Sequence, residues 1–331
     1  MSEVRFQMVT QPTVISTFAG CGGSSLGYKF AGFRELLAVE WDANAVLTFR
    51  LNFPGVPVWH GDIAKLTGAG CLRIAGIKAG ELDVFDGSPP CQGFSTAGKR
   101  QFSDPRNSLF KEFARLLAEI QPKVFVMENV TGMVRGVMKQ AYLQIVKTLR
   151  EAGYRVKGEV LNAMYFNVPQ SRERVIIIGV RNDLGIEPSH PKPETESISV
   201  QEAWKDLLSQ QVPPLSRCFL EAVPKMKQGQ SVADVTGGTK HFQTVRIHSH
   251  LPCPTLTKIK GGVGFGSHIH PTENRVLSIL EMKRVSTFPD EFKFTGNYAE
   301  QRSRMGNSVP PNLMRAIAEH VRRQILDRIG Q

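Results

Sequence analysis

The sequence is poor in cysteine, with five residues among 331 and no C-x-x-C pair. Because disulfide frameworks and zinc sites need closely spaced cysteines, we expect neither, and a reduced cytosolic compartment is the better interpretation. Long apolar runs are also lacking, since none approaches the ~20 residues that span a bilayer. The polar segment Met1–Gln11 has no apolar stretch typical of a secretory signal. Internal repeats and low-complexity tracts are absent as well.

What remains is an ordinary globular composition, 41% hydrophobic and 21% charged, with length for about two domains. The net charge of +11 indicates a polyanionic partner. Part of the surplus is concentrated: residues 222–272 hold six Lys or Arg against one acid, and residues 92–111 hold four against one. The C-terminal segment 301–331 is also basic, without an assigned role.

The first half alternates short β-branched runs with segments of helical period, a pattern typical of a parallel sheet covered by helices. The last two strands are joined by only about a dozen residues without a helical pattern, so we expect them to be antiparallel. The predicted strands are Thr13–Phe18, Glu35–Val39, Pro57–Trp59, Leu82–Phe85, Lys123–Met127, Arg155–Leu161 and Arg174–Val180, and the predicted helices include Ala43–Asn52, Ser108–Ile120 and Val137–Ala152.

The second half changes in texture. A proline-rich linker at 186–199 leads into residues 209–272, which are rich in Pro, Gly, His and Lys and indicate a small, loop-dominated domain. Amphipathic order returns at 274–288, and the last helix is predicted to begin near Ser308. The predicted domains are therefore an α/β unit over 1–190 plus 301–331 and a smaller unit over 191–300.

A glycine-rich loop follows the first predicted strand, from Ala19 to Gly27. Glycines allow close backbone approach to a ligand, and the next helix offers free N–H groups. Glu40 ends the second strand 20 residues after Gly20, where a carboxylate accepts ribose hydroxyls. Trp41 could stack on an adenine, and Asp62 could accept from its amino group. These residues predict an adenosyl ligand, although a dinucleotide enzyme or a structural turn also fits them.

A candidate nucleophile follows the fourth strand, in Ser88-Pro89-Pro90-Cys91-Gln92. Two prolines stiffen the turn and would hold the Cys91 thiol at the sheet edge, where a cysteine is a strong nucleophile. The alternative is an inert buried cysteine, the usual fate of a single Cys. Burial of Cys91 is hard to reconcile with the basic, polar loop that follows it.

Two further groups are predicted at the same edge. Glu128 ends the fifth strand, and the carboxyl ends of parallel strands meet. Arg172 and Arg174 share one face of the last strand, which begins at this edge if it is antiparallel, while Glu173 points away. The alternative interpretation is that Arg172, Glu173 and Arg174 are simply charged residues on a solvent-exposed strand edge. Thiolate attack at the 6-carbon of cytosine, hydrogen bonding of a carboxyl at N3 and an arginine at the 2-carbonyl would together allow methylation of the 5-carbon.

At this point the sequence resembles the cytosine-5 DNA methyltransferases over nearly its whole length. Six motifs occur in order, and together they make coincidence negligible. They are Phe18-Ala-Gly20-Cys21-Gly22-Gly23 for the cofactor loop, Glu40-Trp41 with Asp62-Ile63 for the ribose and adenine, Pro90-Cys91-Gln92 for the nucleophile, Glu128-Asn129-Val130 for the acid, Gln170-x-Arg172-x-Arg174 for the arginines, and Gly306-Asn307-Ser308-Val309 for the return to the cofactor pocket.

The resemblance implies a doubly wound, mostly parallel seven-stranded methyltransferase sheet, S-adenosylmethionine (SAM) as methyl donor, and a cytosine flipped out of duplex DNA. It also implies that Pro89 offers its carbonyl to the cytosine amino group, that Pro90, Leu109, Asn307 and Ser308 line the cofactor site, and that the loop 92–107 closes over the base with Gln92, Ser95, Lys99 and Arg100. Ser308 could instead simply cap the last helix before two prolines.

The family reads DNA through the variable region, here about 190–275. Pro254-Thr255-Leu256-Thr257 resembles the start of its recognition core, so that Thr255 would approach the phosphate of the flipped nucleotide, followed by Lys258 and Lys260. Gln243, Arg246 and His248 could read bases, or they could be phosphate contacts or plain surface. Where the family usually has Arg-Leu-Gln-x-Phe-Pro, this chain has Arg284-Val-Ser-Thr-Phe-Pro289, a change that bears on local packing.

The sequence thus predicts a monomeric, cytoplasmic, nucleoid-associated DNA methyltransferase without a metal and without a membrane segment, with a restriction endonuclease as a candidate partner. Three alternatives stay open. An adenine or N4-cytosine methyltransferase would carry an aromatic residue at Cys91. A tRNA-directed member of the same fold family would share the chemistry. A catalytically dead DNA-binding regulator would not need intact Cys91, Glu128 and Arg174.

Overall fold

The computed structural model describes residues 11–90, 108–208, 210–238, 241, 243–258 and 263–330. The eleven strands found in this part of the chain are β1 Thr13–Thr17, β2 Arg34–Glu40, β3 Val58–His60, β4 Val84–Gly87, β5 Val124–Val130, β6 Tyr154–Asn162, β7 Gln170–Ser171, β8 Glu173–Arg181, β9 Val245–Arg246, β10 Cys253–Pro254 and β11 His268–Ile269. The α-helices found there are α1 Gly23–Phe30, α2 Ala43–Asn52, α3 Gly68–Ala75, α4 Ser108–Ile120, α5 Lys139–Glu151, α6 Val200–Ala203, α7 Val232–Thr236, α8 Ile279–Val285, α9 Tyr298–Asn307 and α10 Pro311–Gln324.

Seven strands form one sheet in the order β3-β2-β1-β4-β5-β8-β6. The pairs from β3 to β5 are parallel, and β8 runs antiparallel to both β5 and β6. The predicted fold class, the seven strands and the antiparallel last pair are therefore confirmed. The order reverses between β1 and β4, and the carboxyl ends of strands flanking such a point form the usual ligand crevice of open α/β sheets.

The helix boundaries follow from local capping. The side chain of Asp42 accepts from the N–H of Ala45 and begins α2, while Pro310 stands before α10, whose first residue is Pro311. The prediction that the last helix begins near Ser308 is wrong by three residues. Ser308 does not cap that helix but follows α9, a helix begun by an Asn297 capping box that the periodicity did not reveal.

The apolar residues form cores on both faces of the sheet. A third core is shared with the small lobe, which is the predicted smaller unit over residues 191–300. In the shared core, Phe49 of α2 and Phe53, the residue directly after that helix, belong to the same buried cluster as Phe288 and Phe292. A separate small cluster centres on Phe219 within the small lobe. The lobes are thus joined by continuous apolar packing. The predicted domain boundaries stay a prediction.

None of the helices within the described ranges is both long and apolar enough to cross a membrane.

Candidate active site

Glu40, the last residue of β2, holds the backbone of the glycine loop. Its Oε2 accepts a hydrogen bond from the N–H of Gly20 over 2.8 Å, and its Oε1 accepts from the N–H groups of Trp41 and Asp42 over 2.9 and 2.8 Å. A carboxylate has about four lone-pair positions, and these bonds use three of them. The carboxylate that shapes the loop therefore keeps one acceptor position, on the oxygen beside Gly20, for a ligand hydroxyl.

Two glycines of the loop are required for different physical reasons. Gly22 has a φ of +95°, and an added Cβ would lie 2.4 Å from a ring carbon of Phe53. Gly20 also has a positive φ, +57°, but an added Cβ there would meet no atom within 4 Å. Packing therefore dictates glycine at position 22, whereas the backbone at Gly20 borders open space that a ligand can approach.

The segment after α9 lies against the other side of the loop. The Oγ of Ser308 donates to the carbonyl of Arg304 over 2.7 Å and lies 3.0 Å from the Sγ of Cys21. The Sγ of Cys21 also donates to the carbonyl of Arg304 over 3.8 Å. Burial raises the pKa of Cys21 to about 11, so the thiol is neutral. Both side chains therefore join segments of the protein, while Asn307 is exposed.

The residues predicted to meet an adenine lie around the ends of β2 and β3. The N–H of Gly61 donates to the carbonyl of Glu40, which places Asp62 beside the Glu40-Trp41 turn. The side chain of Trp41 is 77% exposed, and Asp62 is exposed as well. Ile63 is buried after Asp62, while Phe18 and Leu109 pack partly buried against the adjoining core.

Glu128 and Arg174 form an ion pair across the antiparallel strands β5 and β8. The Nε of Arg174 lies 2.7 Å from Oε1 of Glu128, and each side chain is about nine-tenths buried. The predicted approach of these two residues is present in the structure. The Nη1 of Arg174 also donates to the carbonyl of Glu173, so two of its five N–H donors are accounted for. The remaining donors can hold a substrate oxygen beside the carboxylate.

The segment that carries the predicted nucleophile leaves the sheet next to this pair. β4 neighbours β5, and the Nδ2 of Asn129 donates to the carbonyl of Pro89 over 3.0 Å. A carbonyl has two lone pairs, so Pro89 keeps one for a further donor. Pro90 is exposed. Five residues with predicted roles follow outside the described ranges, namely Cys91, Gln92, Ser95, Lys99 and Arg100.

The structure does not support a role for Arg172 in contacting substrate, and that prediction is corrected. Its side chain is buried, and Nη1 and Nη2 donate to the carbonyls of Leu256 and Gly306, each over 2.9 Å. The Nε is buried without a hydrogen-bond partner among the described residues. Burial and, to a smaller extent, the nearby Arg174 charge lower the pKa of Arg172 to about 9, so the group stays charged at neutral pH. Arg172 therefore positions backbone segments.

Arg246 is not available to read a base, which corrects a second prediction. The residue is buried, and its guanidinium donates to the carbonyls of His270, Glu273 and Val223 and to Oδ1 of Asn274. These hydrogen bonds connect separate segments of the small lobe, around residue 223 and around residues 270–274. Sequence spacing shows that an arginine lies in a basic region but not which way its side chain turns.

The other residues predicted for recognition lie in different surroundings. The hydroxyl of Thr255 donates to the carbonyl of Ser171 over 2.8 Å, so its hydrogen is not available to a phosphate. Gln243, His248 and Lys258 are exposed and keep their predicted roles as candidates. Lys260 lies outside the described residues.

Two buried acids lie beneath α1, and the sequence did not single them out. The hydroxyl of Ser25 donates to Glu35 over 2.9 Å, and that of Tyr28 donates to Asp86 over 3.2 Å. Burial raises the pKa of Glu35 to about 7 and holds that of Asp86 well above its usual range. Neither motif nor periodicity marks such acids, because their burial depends on packing between distant elements.

Comparison with known proteins identifies the family. Residues 12–323 match the family of C-5 cytosine-specific DNA methylases. The Type II methyltransferase M1.HphI of Haemophilus parahaemolyticus is 37% identical over 329 residues, which cover 93% of this chain and 86% of that protein. The Type II methyltransferase M.Sau96I of Staphylococcus aureus is 35% identical, over 92% of this chain and 74% of that protein. The chain belongs to the C-5 cytosine-specific DNA methylase family.

Solved structures agree in fold with this DNA cytosine-5 methyltransferase. A prophage-encoded DNA modification methyltransferase of E. coli superposes with a TM-score of 0.79 at 23% identity, covering 96% of this chain and all of that one. The S. pombe Dnmt2 methyltransferase superposes with a TM-score of 0.66 at 17% identity, covering 95% and 99%. At these identities the likeness shows the fold alone, a mostly parallel methyltransferase sheet.

Membership in a methyltransferase family implies SAM as the methyl donor, and the residues at the loop fit an adenosyl ligand. Glu40 retains an acceptor position, the backbone at Gly20 borders open space, and the ring of Trp41 is exposed. Within the described ranges, no group of three or more His, Cys, Asp or Glu side chains is placed to hold a metal ion.

Two residues of this methyltransferase have positioning roles that the sequence prediction missed. Asn129 holds the turn before the predicted nucleophile, and Gln170 accepts from the N–H of Leu256 and donates to Ser286. The sequence contained a signal for Gln170, because it lies two residues before Arg172 and side chains two apart on extended backbone face the same side. Ser286 occupies the position where the family usually has Gln.

Proposed function

We propose that the protein transfers a methyl group to the 5-carbon of a cytosine in a specific site of double-stranded DNA, through a covalent bond between Cys91 and the 6-carbon. The ion pair between Arg174 and Glu128 is the observation that carries this proposal. It places a carboxyl group and free guanidinium donors together beside the segment that leads to Cys91.

Each residue then has one task. The Cys91 thiolate attacks the 6-carbon and turns the ring into an enamine that is nucleophilic at the 5-carbon. Glu128 hydrogen-bonds or protonates N3, and Arg174 holds the 2-carbonyl, so that both stabilise the charge that develops on the ring. Loss of the 5-carbon proton afterwards expels the thiol. When bound, SAM supplies an electrophilic methyl group, and Glu40, Trp41 and Asp62 would hold its adenosyl part.

The target cytosine must leave the duplex, because stacking buries its faces, and unstacking costs a few kcal/mol. The carbonyl of Pro89 would accept from the amino group of the flipped base. Exposed Lys258 and the basic residues of 92–107 would meet phosphates. Since all six motifs lie on one chain, a monomer suffices, and a cognate restriction endonuclease is the partner we propose from the Type II names of the relatives.

Trapping of a covalent adduct tests the proposal. Bisulfite sequencing of DNA from cells that express the protein first maps the methylated site. A duplex with 5-fluorocytosine at that site should then form an adduct with the purified protein and SAM, because fluorine cannot leave as the proton does. The variant Cys91→Ser should form no adduct and transfer no methyl group, but should still bind the duplex.

Three outcomes would overturn the proposal. They are substantial methyl transfer by Cys91→Ser, absence of an adduct on a duplex that the wild-type protein methylates, and methylation of RNA in place of DNA. The last result would favour the tRNA-directed alternative. The exposed pair of Arg135 and Glu173 provides a control, since Arg135→Ala should leave adduct formation unchanged.

A further inference from the structure

A continuous series of contacts joins the recognition segment 254–258 to the glycine loop. The strand β10 at the start of this segment pairs with β7, and the N–H of Leu256 donates to Oε1 of Gln170. Gly306, near the end of α9, lies directly on the segment. An added Cβ on Gly306 would lie 2.7 Å from the carbonyl carbon of Thr257, so that only glycine permits this approach.

Arg172 binds both sides of this contact. Its two terminal nitrogens donate to the carbonyls of Leu256 and Gly306, each over 2.9 Å, and its side chain is only 2% exposed. A planar guanidinium holds two acceptors at a fixed separation, which a single ammonium cannot do. The carbonyl of Gly306 belongs to the last turn of a helix, where a positive charge is favourable. Arg172 therefore fixes the distance between the recognition segment and the end of α9.

The end of α9 continues straight into the cofactor loop contacts. Ser308 lies 3.0 Å from the thiol of Cys21, and an added Cβ on Gly23 would lie 2.4 Å from the carbonyl of Val309. A shift of Gly306 by a few tenths of an ångström would therefore displace the contacts that residues 308 and 309 make with Cys21 and Gly23. The two glycines leave no space in which such a shift could be absorbed.

We propose that Arg172 is a positioning residue that couples binding of the target DNA to binding of the cofactor. This inference rests on the proposed function, because it assigns the segment 254–258 to DNA. DNA that engages the segment moves or fixes it, the guanidinium transmits the change to Gly306, and residues 306–309 transmit it to the glycine loop. By thermodynamic linkage the effect is reciprocal, so cofactor tightens DNA binding by the same factor.

Arg172→Lys tests the coupling because it keeps the charge but cannot bridge both carbonyls. The dissociation constant of S-adenosylhomocysteine is measured with and without a duplex that carries the mapped site. We expect the duplex to tighten binding at least fivefold in the wild-type protein and less than twofold in the variant. Binding without DNA should stay within threefold, while the KM for SAM rises. Arg135→Ala, which alters an exposed ion pair nearby, should keep the wild-type ratio.

Gly306→Ala provides a second variant that disturbs the same contact from its other side and should lower the same ratio. An unchanged ratio in both variants would overturn the proposal, as would a wild-type ratio of one. Loss of both separate affinities with the ratio preserved would show a purely structural role and also overturn it. A wild-type protein that methylates no DNA would instead overturn the proposed function.

Discussion

The Nε of Arg174 donates to Oε1 of Glu128 over 2.7 Å, and this ion pair joins the ends of two antiparallel strands. Glu128 is held by the sheet on one side and by a guanidinium on the other. A carboxyl group fixed in this way needs little reorganisation when charge develops on a base beside it. The strand that carries Arg174 is therefore part of the proposed catalytic arrangement as well as of the fold.

Arg174→Ala should lower kcat by about 10²–10³-fold, because it removes both a donor to the substrate and the group that orients Glu128. Binding of duplex DNA should change by less than about threefold, since the residue is mostly buried. Steady-state methyl transfer and a gel-shift titration measure the two quantities. Glu128→Gln should give a similar loss in kcat, and a decrease below tenfold in either variant would contradict the assignment.

Two glycine variants separate packing from ligand approach. Gly22→Ala should destabilise the fold by about 2–4 kcal/mol, because the new methyl group meets the ring of Phe53 and φ is positive. Gly20→Ala should cost only about 1 kcal/mol, since its side is open, but should weaken binding of S-adenosylhomocysteine at least tenfold. Thermal unfolding and calorimetric titration measure these effects. Unimpaired cofactor binding by Gly20→Ala would place the ligand elsewhere.

Two basic residues of the small lobe should respond differently to removal. Lys258 is exposed, so Lys258→Ala should reduce the slope of log Kd for DNA against log salt by about one. Arg246→Ala should instead lower the free energy of unfolding by roughly 3 kcal/mol or more, because buried acceptors lose their donor. Binding titrations at several salt concentrations and chemical denaturation distinguish the two effects. An unchanged salt slope in Lys258→Ala would remove this residue from the DNA contact.

Glu35 should make the fold less stable as pH rises through about 7. Burial raises its pKa from 4.5 to about 7, so the protonated form contributes stability that is complete below pH 4.5 and lost as the folded protein ionises. The groups that face it are Ser16, Ser25, Tyr28 and Asp86. The full loss is about 3 kcal/mol from the difference between the two pKa values.

Glu35→Gln removes this titration and keeps an acceptor for the hydroxyl of Ser25. The stability of the variant relative to the wild-type protein should therefore rise as pH increases from about 4.5 to 7 and level off above pH 7, measured by denaturant unfolding at each pH. The raised pKa of Asp86 leaves some dependence in both proteins. Glu196→Gln, at an exposed position, should follow the wild-type curve. Parallel curves for Glu35→Gln and the wild-type protein would contradict the expectation.

The sequence predicted those parts of the molecule that depend on local patterns. The ends of all seven strands of the main sheet were predicted to within about three residues. This was possible because the signals of a strand, β-branched runs and turn residues, are local in the sequence. The approach of Glu128 to Arg174 was also predictable, since strand direction places both at one edge. The targets of Arg172 and Arg246 were not, because a long side chain can turn toward carbonyls that lie 84 or 23 positions away.

The apolar core shared by Phe53 of the first lobe and Phe288 and Phe292 of the second has a mechanical consequence. Domains that touch through a small polar interface rock against each other, whereas a continuous hydrophobic seam resists changes in angle. We therefore expect the angle between the two lobes to change little. Under the proposed function, the duplex rather than the angle between the lobes would change its geometry, and extrusion of a single nucleotide is a change of that kind.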